Sequence, residues 1–472
     1  MLRDRIVPLI IAVALFMENM DSTVIATSLP AIAADIGTNP LALKLAVTSY
    51  LLSLAIFIPA SGWTADRFGA RTVFRAAIGV FVIGSIGCAL SSSLTDFVIA
   101  RIVQGMGGAM MTPVGRMVVV RTISKRELVG AMAWVTTPAL IGPVLGPPVG
   151  GFITTYATWH WIFLINVPIG LLGIVLATRY IPDVRAEEHE RFDVVGMILA
   201  GLGIGGMAFG LSILGLNFLP WYVVVALVIG GACFFAAYLA HARRTENPAL
   251  DLTLFRLPTF FASVVGGFIF RLGLGALPFL LPLMLQIGFG MTPFQSGMIT
   301  FATALGAMGM KWAVAFILHR FGFRNILVVN SVISSAFLAI CAAFTATTPI
   351  ALMLILLFVG GFFRSLQFTS INTIAYAEVD PRRIGRATAL VSVAQQLAVS
   401  CGVALGALSV EFTVQFRGGG PLQAADFPPA FLAVAAISAL SALIFARLAP
   451  DAGAEMADRL PTPAEPSDQR AG

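Results

Sequence analysis

The sequence predicts an all-α polytopic membrane protein, and three observations carry this prediction. Hydrophobic residues make up 58% of the 472 residues and charged residues only 11%, whereas soluble domains are nearer to a quarter charged. The mean hydropathy is +0.92. The apolar residues gather into fourteen stretches, and each has about the 20 residues that an α-helix needs to cross a bilayer. Fourteen transmembrane helices are therefore expected.

Each predicted span is an apolar run bounded by polar or charged connections. In chain order the spans cover residues 6–29, 46–64, 73–93, 95–118, 129–153, 161–180, 194–216, 220–242, 259–286, 293–318, 325–345, 349–374, 385–411 and 428–448. Two acids interrupt the first span, so it is expected to be a retained helix rather than a cleaved signal. The last 23 residues, rich in Ala, Pro, Asp and Glu, are expected to be disordered.

Basic residues are concentrated in alternate connections between the spans. One set of connections holds 22 of the 29 Lys and Arg residues, and the other set holds only Lys44 and Arg417. The positive-inside rule therefore predicts that both termini are cytoplasmic and that the protein lies in the cytoplasmic (inner) membrane. The net charge of +6 is explained by this topology, so no nucleic-acid partner is predicted.

Neither a metal nor another cofactor is predicted. Cys88, Cys233, Cys341 and Cys401 lie in apolar spans without CxxC spacing and are typical of small core residues. The four histidines are scattered at span ends. None of the three lysines follows a glycine, so the chain has no GxxxxGK[ST] loop for ATP phosphates. Energy for active transport would have to come from an ion gradient.

A short motif occurs twice and indicates an internal duplication. Arg67-Phe68-Gly69-x-Arg71 recurs as Arg320-Phe321-Gly322-x-Arg324, each time after the second helix of a possible six-helix unit. The expected domains are an N-terminal six-helix bundle (1–181), a segment with connections and two extra transmembrane helices (182–257), a C-terminal six-helix bundle (258–449) and a cytoplasmic tail (450–472). Two bundles with helices inserted between them are typical of secondary transporters.

Two carboxylates, Glu18 and Asp21, lie inside the first predicted span. A charge at a helix centre costs roughly 2.5 to 3.5 kcal/mol to insert, so an acid at this depth indicates contact with water, a partner or a proton. Residues three apart share a helix face. Asp21 could alternatively cap a helix end, because Asp-Ser-Thr is a helix-start pattern.

Five stretches match one family. They are MDSTVIATSLP (20–30), GWTADRFGAR (62–71), RIVQGMGGAMMTP (101–113), GPVLGPPVGG (142–151) and WHWIFLINVPIG (159–170). On these motifs the chain resembles the major facilitator superfamily over nearly its whole length. Within that superfamily it is most similar to the fourteen-helix drug:proton antiporters. The resemblance implies a major-facilitator fold of two six-helix bundles with two central inserted helices.

The loop motif is predicted to form a cytoplasmic gate. Its residues are Gly62, Asp66, Arg67, Gly69 and Arg71. Glycines let a turn pass closely between two helix ends, and Asp66 can bind a neighbouring helix N-terminus or an arginine. A contact of this kind would hold the cytoplasmic side shut. A plain tight turn is the alternative.

The fifth span carries the motif that the family associates with antiport. Its small and kink-forming residues are Gly142, Pro143, Gly146, Pro147, Gly150 and Gly151. Glycines four apart form a stripe that allows a close helix approach, and the prolines permit bending. The stripe suits a helix against which the other half closes, although packing alone would produce it too.

Arg101 is predicted to pair with Asp21. At a rise of 1.5 Å per residue the two side chains lie at similar depth, and Gln104, one turn deeper, could join Glu18. We expect Glu18, Asp21 and Arg101 to couple transport to protons, because a carboxyl that exchanges water for an arginine would bind and release a proton in turn. A static buried ion pair is the alternative.

The second half carries cations and amides within its spans. Arg271, Lys311 and Arg364 would together cost roughly 7 to 10 kcal/mol unless hydrated or paired, so they are predicted to line a substrate cavity. The predicted cavity set is Gln104, Arg271, Lys311, Arg364, Gln367 and Asn372. For Lys311 the alternative is that its side chain snorkels toward the cytoplasm, to which it is closer. If the cations are unpaired, the cavity favours an anionic or neutral amphipathic compound over a lipophilic cation.

The predicted function is a proton-coupled exporter of small amphipathic or drug-like compounds that works by alternating access, not an enzyme. Its expected partners are the small-molecule substrate, protons and the lipid bilayer, with a monomeric state and a possible periplasmic adaptor. Two alternatives stay open. One is a symporter or facilitator that imports a metabolite, and the other is a sensor or scaffold with a carrier fold that does not transport.

Overall fold

The computed structural model describes residues 2–123, 128–182, 193–213, 220–380 and 383–457. Within these ranges the chain forms fourteen long α-helices and no β-strand. In chain order they are α1 (Leu2–Val24), α2 (Lys44–Phe57), α3 (Ala70–Ala89), α4 (Leu94–Thr122), α5 (Leu128–Tyr156), α6 (Asn166–Tyr180), α7 (Val194–Ile213), α8 (Trp221–Ala242), α9 (Gly267–Leu283), α10 (Pro293–Phe321), α11 (Phe323–Ile340), α12 (Ile350–Ile374), α13 (Ile384–Phe416) and α14 (Pro428–Phe445).

The helices follow the predicted spans closely. Thirteen helical stretches in the described part of the chain are long and apolar enough to cross a membrane. Helix α5 occupies the position of the predicted fifth span, with 29 residues and four internal prolines. The predicted all-α polytopic membrane fold is confirmed.

Several long helices continue as short, differently wound segments, and prolines explain one of these breaks. After α2 the chain makes a 3-10 turn at Ile58–Ala60 and then a short helix at Ser61–Phe68. Pro59 lies in this turn, where its missing N–H and fixed φ interrupt the regular hydrogen bonds. A π-helical turn lies at each end of α9, at Ala262–Gly266 and Met284–Gly288.

Consecutive long helices run in opposite directions, which gives the molecule two membrane faces. We call the face at which α1 begins and α4 and α10 end the basic face, since it carries Arg67, Arg121 and Arg320. The far face is the opposite one, at which α5 ends and α10 begins.

Each half is held together by pairs of packed helices, and the two halves contact each other at two seams. In the first half α1 packs on α5 and α3 on α4, and in the second half α10 packs on α12, α9 on α13 and α11 on α14. The seams are α5 against α10 and α2 against α13. The inserted helices α7 and α8 pack together, and α7 also contacts α2 and α13. The domain boundaries given above stay a prediction.

The duplicated motif has the same backbone conformation in both copies. Gly69 has a φ of 89° and Gly322 a φ of 75°. Each glycine ends one helix and begins the next. Because L side chains rarely adopt these values, glycine is required at both sharp helix-to-helix turns.

The connection between α8 and α9 is tied to the start of α13 by Asp251. Its carboxylate accepts hydrogen bonds from the Thr253 backbone N–H at 3.1 Å and from Arg383 Nη2 at 2.8 Å. Burial raises the pKa of Asp251, but the hydrogen bonds from Thr253 and Arg383 outweigh it, so the net pKa lies below its ordinary value.

Part of the predicted tail is packed. Ala452 lies against a buried cluster that includes Phe323 and Leu448. The expectation of disorder is therefore wrong for residues 450–457. Residues 458–472, and the basic residues Lys125, Arg126, Arg185, Arg191 and Arg382 used for the topology argument, lie outside the described residues.

Candidate functional site

Asp21 lies at the centre of a buried hydrogen-bond network in the first half. Arg101 Nη1 donates to Asp21 Oδ2 at 2.7 Å. Gln104 Nε2 and Asn166 Nδ2 donate to Asp21 Oδ1 at 2.9 and 2.8 Å. Asp21 is 0% exposed and Arg101 1%. The pairing predicted from equal depth is confirmed, and both carboxylate oxygens of Asp21 are occupied.

The same network joins four helices. Ser85 on α3 accepts hydrogen bonds from Gln104 Nε2 on α4 at 2.8 Å and from Asn166 Nδ2 on α6 at 3.2 Å. The Arg101 guanidinium also lies 4.1 Å from the centre of the Tyr50 ring on α2, in the range of a cation–π contact. Removing one member of such a buried pair costs about 3–5 kcal/mol, because the other charge is left without a partner.

Glu18 has a different environment, although it lies only one turn before Asp21. Its Oε2 accepts a hydrogen bond from Thr112 Oγ1 at 2.8 Å, and its side chain is partly exposed. No described cation lies within ion-pair distance of it. Gln104, which could have joined Glu18, binds Asp21 instead. The two carboxylates therefore differ in access and in partners.

The glycine stripe of α5 faces the helix that carries both acids. A Cβ at Gly142 would lie 2.9 Å from the Phe16 carbonyl oxygen, and one at Gly150 would overlap the Val24 carbonyl oxygen. Gly146 lies in the same way against Thr23. These three glycines thus bring α5 into backbone contact with α1 rather than with the other half.

Gly151 instead contacts the second half. A Cβ at this position would overlap the carbonyl oxygen of Pro293 at the start of α10, and one at Gly297 would overlap the Pro147 carbonyl oxygen. Helices α5 and α10 therefore touch closely near the far face. Each contact needs a glycine on one side and backbone on the other, so no side chain separates the helices there.

A buried ion pair closes the second seam at the far face. Lys44 Nζ at the start of α2 lies 3.0 Å from Glu411 Oε1 near the end of α13. Lys44 is 0% exposed and Glu411 8%. Gln286 Nε2 adds a further link between the halves through its hydrogen bond to the Thr27 carbonyl at 2.9 Å.

A cavity of about 280 Å³ lies between the two halves, next to the α5–α10 contact. Helices α1 and α5 supply its first wall, and α9, α10 and α12 supply the second. Lys311 and Arg364, both predicted cavity residues, line it. Most of the remaining surface is apolar.

The other predicted cavity residues lie elsewhere. Arg271 Nη2 donates to Asn372 Oδ1 at 2.8 Å, and Arg271 is only 3% exposed. Gln367 binds Asn330 and the Leu327 carbonyl in the interior of the second half. Gln104 belongs to the Asp21 network. None of these four lines the 280 Å³ cavity.

Comparison with known families decides what this architecture is. The sequence model described as Major Facilitator Superfamily matches residues 11–241, 185–400 and 263–468. The chain belongs to the major facilitator superfamily. Its members are transporters, so the chain is a multi-pass membrane transporter with a small-molecule substrate, as the motifs led us to expect.

Relatives and solved structures agree with this membership. The chain is 38% identical over 452 residues, covering 94% of each chain, to proteins of Salmonella heidelberg and Salmonella paratyphi A that are named as multidrug resistance protein MdtD. Among structures it is similar to a D-xylose-proton symporter (TM-score 0.67, 16% identity, 95% and 98% of the chains). It is also similar to a bacterial Spinster homologue in an inward-facing, unoccupied conformation (0.65, 15%, 98% and 99%). These structural likenesses concern the fold.

The superfamily loop motif forms its ionic contact inside the first half. Arg121 Nη2 at the end of α4 donates to Asp66 Oδ1 at 2.7 Å, and both side chains are about 30% exposed. The Arg67 guanidinium lies 5.5 Å from the Trp63 ring. Asp66 thus binds an arginine, one of the two expected partners, and the contact does not cross between the halves.

Sequence reasoning missed several members of these networks. Asn166 and Ser85 bind the Asp21 network, and Thr112 binds Glu18. Asn166 has a visible signal, since it is a polar residue of the motif WHWIFLINVPIG that lies within the predicted sixth span. Serine and threonine carry no such signal, because they occur in membrane helices as packing residues. The Lys44–Glu411 pair joins residues 367 apart, and only the tertiary fold reveals it.

Proposed function

We propose that this protein exports small amphipathic or drug-like compounds across the cytoplasmic membrane, in exchange for protons, with both termini cytoplasmic. The observation that carries the proposal is the environment of Glu18, a partly exposed carboxyl within a membrane helix that accepts a hydrogen bond from the Thr112 hydroxyl. The multidrug-resistance name of the 38% identical relatives supports the direction and the kind of substrate. We propose a monomeric transporter that could deliver substrate to a periplasmic adaptor.

Glu18 has the properties that a coupling carboxyl needs. It lies 16 residues from Leu2, or about 24 Å along α1 from the basic face. A group at this depth must exchange protons with water from one side at a time if transport and proton flow are to stay linked. Partial exposure gives it access, and a hydroxyl partner can accept as well as donate, so Thr112 can bind either protonation state of Glu18.

Asp21 and Arg101 serve another purpose in this proposal. Their mutual contact pairs the two charges directly, and Gln104 and Asn166 donate further hydrogen bonds to Asp21. A pair of this kind fixes α1 against α4 and α6. It therefore positions Glu18, one turn away, while Glu18 carries the proton.

The contacts at the far face support alternating access. The seams Gly151–Pro293 and Lys44–Glu411 join the halves on that face. Outward opening requires both seams to separate, and inward opening requires them to form. Closure of the far face and exposure of the central cavity from the basic face then follow from one relative movement of the two halves.

A proton gradient is sufficient to drive export. One proton moving down ~100 mV yields about 2.3 kcal/mol, and each pH unit adds about 1.4 kcal/mol. The sum corresponds to a several-hundred-fold substrate gradient at one proton per cycle. One titrating carboxyl therefore suffices.

The test uses the full chain in liposomes and separates coupling from carrier movement. Liposomes that contain either wild type or Glu18→Gln are given fluorescent amphipathic probes. Two quantities are measured: probe accumulation driven by an imposed pH gradient, and probe-for-probe exchange without a gradient. We expect Glu18→Gln to lose gradient-driven accumulation and probe-induced proton release while retaining exchange. Exchange needs the carrier movement but no proton.

The matched control is Glu246→Gln, the same substitution at an exposed glutamate in the connection after α8. It should behave like wild type in both assays. Full gradient-driven accumulation by Glu18→Gln would show that another group carries the proton.

A further inference from the structure

The central cavity holds positive charge that no described acid balances. We propose that it binds an amphipathic organic anion, with the anionic group on Lys311 and Arg364. This inference rests on the proposed function and specifies its substrate class. The structural evidence is the identity of the side chains that line the cavity and the lack of acidic partners for its cations.

Helix α10 presents one face to the cavity. Thr300, Thr303, Ala307 and Lys311 recur at helical spacing along that face. The hydroxyl of Thr303 is buried and has no hydrogen-bond partner among the described residues. An unpaired buried donor is unusual in a folded protein. Two turns separate Thr303 from Lys311, so one face of α10 offers a hydroxyl and an ammonium to the same space.

Arg364 approaches this space from α12. It lines the 280 Å³ cavity together with Thr303, and the same two residues also line a second space of about 20 Å³ that reaches Ser334. The smaller space is about the size that one water molecule needs. Water there can satisfy single donors but supplies no negative charge.

Lys311 and Arg364 have no described acid beside them, unlike two fully buried cations elsewhere in the molecule. Arg101 is paired with Asp21 and Lys44 with Glu411. Among the described residues no carboxylate lies within 4.0 Å of a nitrogen of Lys311 or Arg364. No Asp or Glu in the described part of the chain lines the cavity. Lys311 is exposed and Arg364 half-buried, so both are accessible to a bound anion, which would supply the negative charge that the cavity lacks.

The remaining wall determines what kind of anion fits. Pro143, Val144, Leu277, Leu281 and Met308 form an apolar surface next to the cations. A small inorganic anion would leave this surface empty, whereas a lipophilic cation would meet two like charges. An organic anion with a ring or short alkyl part and one carboxylate fits both surfaces.

Arg271 extends the positive charge toward the basic face. It binds Asn372, which lies eight residues, or about 12 Å, beyond Arg364 on α12. Like the cavity cations, Arg271 has no described acid within ion-pair distance. Arg271 is itself buried, so it would act on an anion arriving from the basic face only through the long-range positive potential that it adds.

The test compares three probes that share one ring system. They are 1-naphthoate, its neutral methyl ester and the 1-naphthyltrimethylammonium cation. Binding to the purified full chain in lipid nanodiscs is measured by fluorescence at low salt, without any gradient. We expect naphthoate to bind at least about 10-fold more tightly than the other two, the range of one charge-assisted hydrogen bond.

Variants locate the binding site. Lys311→Met and Arg364→Gln should each weaken naphthoate binding about 10-fold and leave ester binding within a factor of two. Lys311→Arg keeps the positive charge, so it should bind naphthoate about as tightly as wild type does. Arg244→Gln removes an exposed cation from the connection after α8, and it should leave naphthoate binding unchanged, which separates a local site from net charge.

Equal binding of all three probes, no binding of any of them, or naphthoate binding that survives both Lys311→Met and Arg364→Gln would overturn the inference. The proposed function fails separately. It would be refuted by liposomes in which no probe moves with a proton gradient, even where naphthoate binds as expected.

Discussion

At the scale of single residues, two acids one turn apart have opposite environments. Asp21 is fully buried and receives three side-chain hydrogen bonds, whereas Glu18 is partly exposed and receives one from Thr112. A group that carries protons across the membrane must have access to water, and of the two acids only Glu18 has an exposed surface. Of the two acids, Glu18 is therefore the better candidate for the proton site.

Stability should separate the two roles. Asp21→Asn leaves the Arg101 charge buried without its partner, so we expect the free energy of unfolding to fall by about 3–5 kcal/mol. Glu18→Gln keeps the hydrogen bond from Thr112, so it should change the free energy of unfolding by less than about 1 kcal/mol. The melting temperatures of the two variants, measured in the same detergent, test this difference. Asp21→Asn combined with Arg101→Gln should recover part of the loss, and equal melting temperatures for both single variants would contradict the assignment.

The sequence was sufficient for part of this network. The depth of Arg101 and Asp21 in antiparallel spans follows from helix rise, and so their contact could be predicted. Gln104 could not be assigned in the same way, because depth alone does not say toward which acid a side chain turns. The rotation of each helix about its axis decides this, and packing sets that rotation.

At the scale of helices, α5 is the element that connects the acid-bearing helix with the other half. Gly142, Gly146 and Gly150 face α1, and Gly151 faces α10. Periodicity of the glycines predicted a smooth stripe but not its partner. The stripe could equally have faced the second half, as the sequence favoured. One residue beyond the repeat, Gly151 is turned by about 100° and meets the other helix.

A methyl group at a stripe glycine of α5 should destabilise the protein, whereas one at an open glycine elsewhere should not. Gly142→Ala places a Cβ against the Phe16 carbonyl and the Met20 amide, so we expect a loss of about 1–3 kcal/mol in the free energy of unfolding. Gly230→Ala on α8 meets nothing within 4 Å and should be neutral or stabilising by up to about 1 kcal/mol. Thermal unfolding of both variants measures the difference. A neutral Gly142→Ala would mean that α1 and α5 are not held in close contact.

At the scale of the whole molecule, the two halves are electrostatically unlike. The first half holds a partly exposed acid, Glu18, and the second half lines the cavity with Lys311 and Arg364. An ion pair, Lys44–Glu411, joins the halves at the far face. A carrier with this division would handle the proton on one half and the anionic group on the other. The sequence revealed the residues, but their separation by half and face required the packing.

This division predicts strongly electrogenic transport. If one proton enters for each anion that leaves, two positive charges move inward per cycle, so 100 mV contributes about 4.6 kcal/mol rather than 2.3. Liposomes with a potassium diffusion potential and no pH gradient should therefore accumulate naphthoate on the positive side. The neutral ester, carried with a single charge, should show about half the dependence on potential, measured as the slope of log accumulation against voltage. A naphthoate slope equal to that of the ester would mean that the anion and the proton do not move in opposite directions.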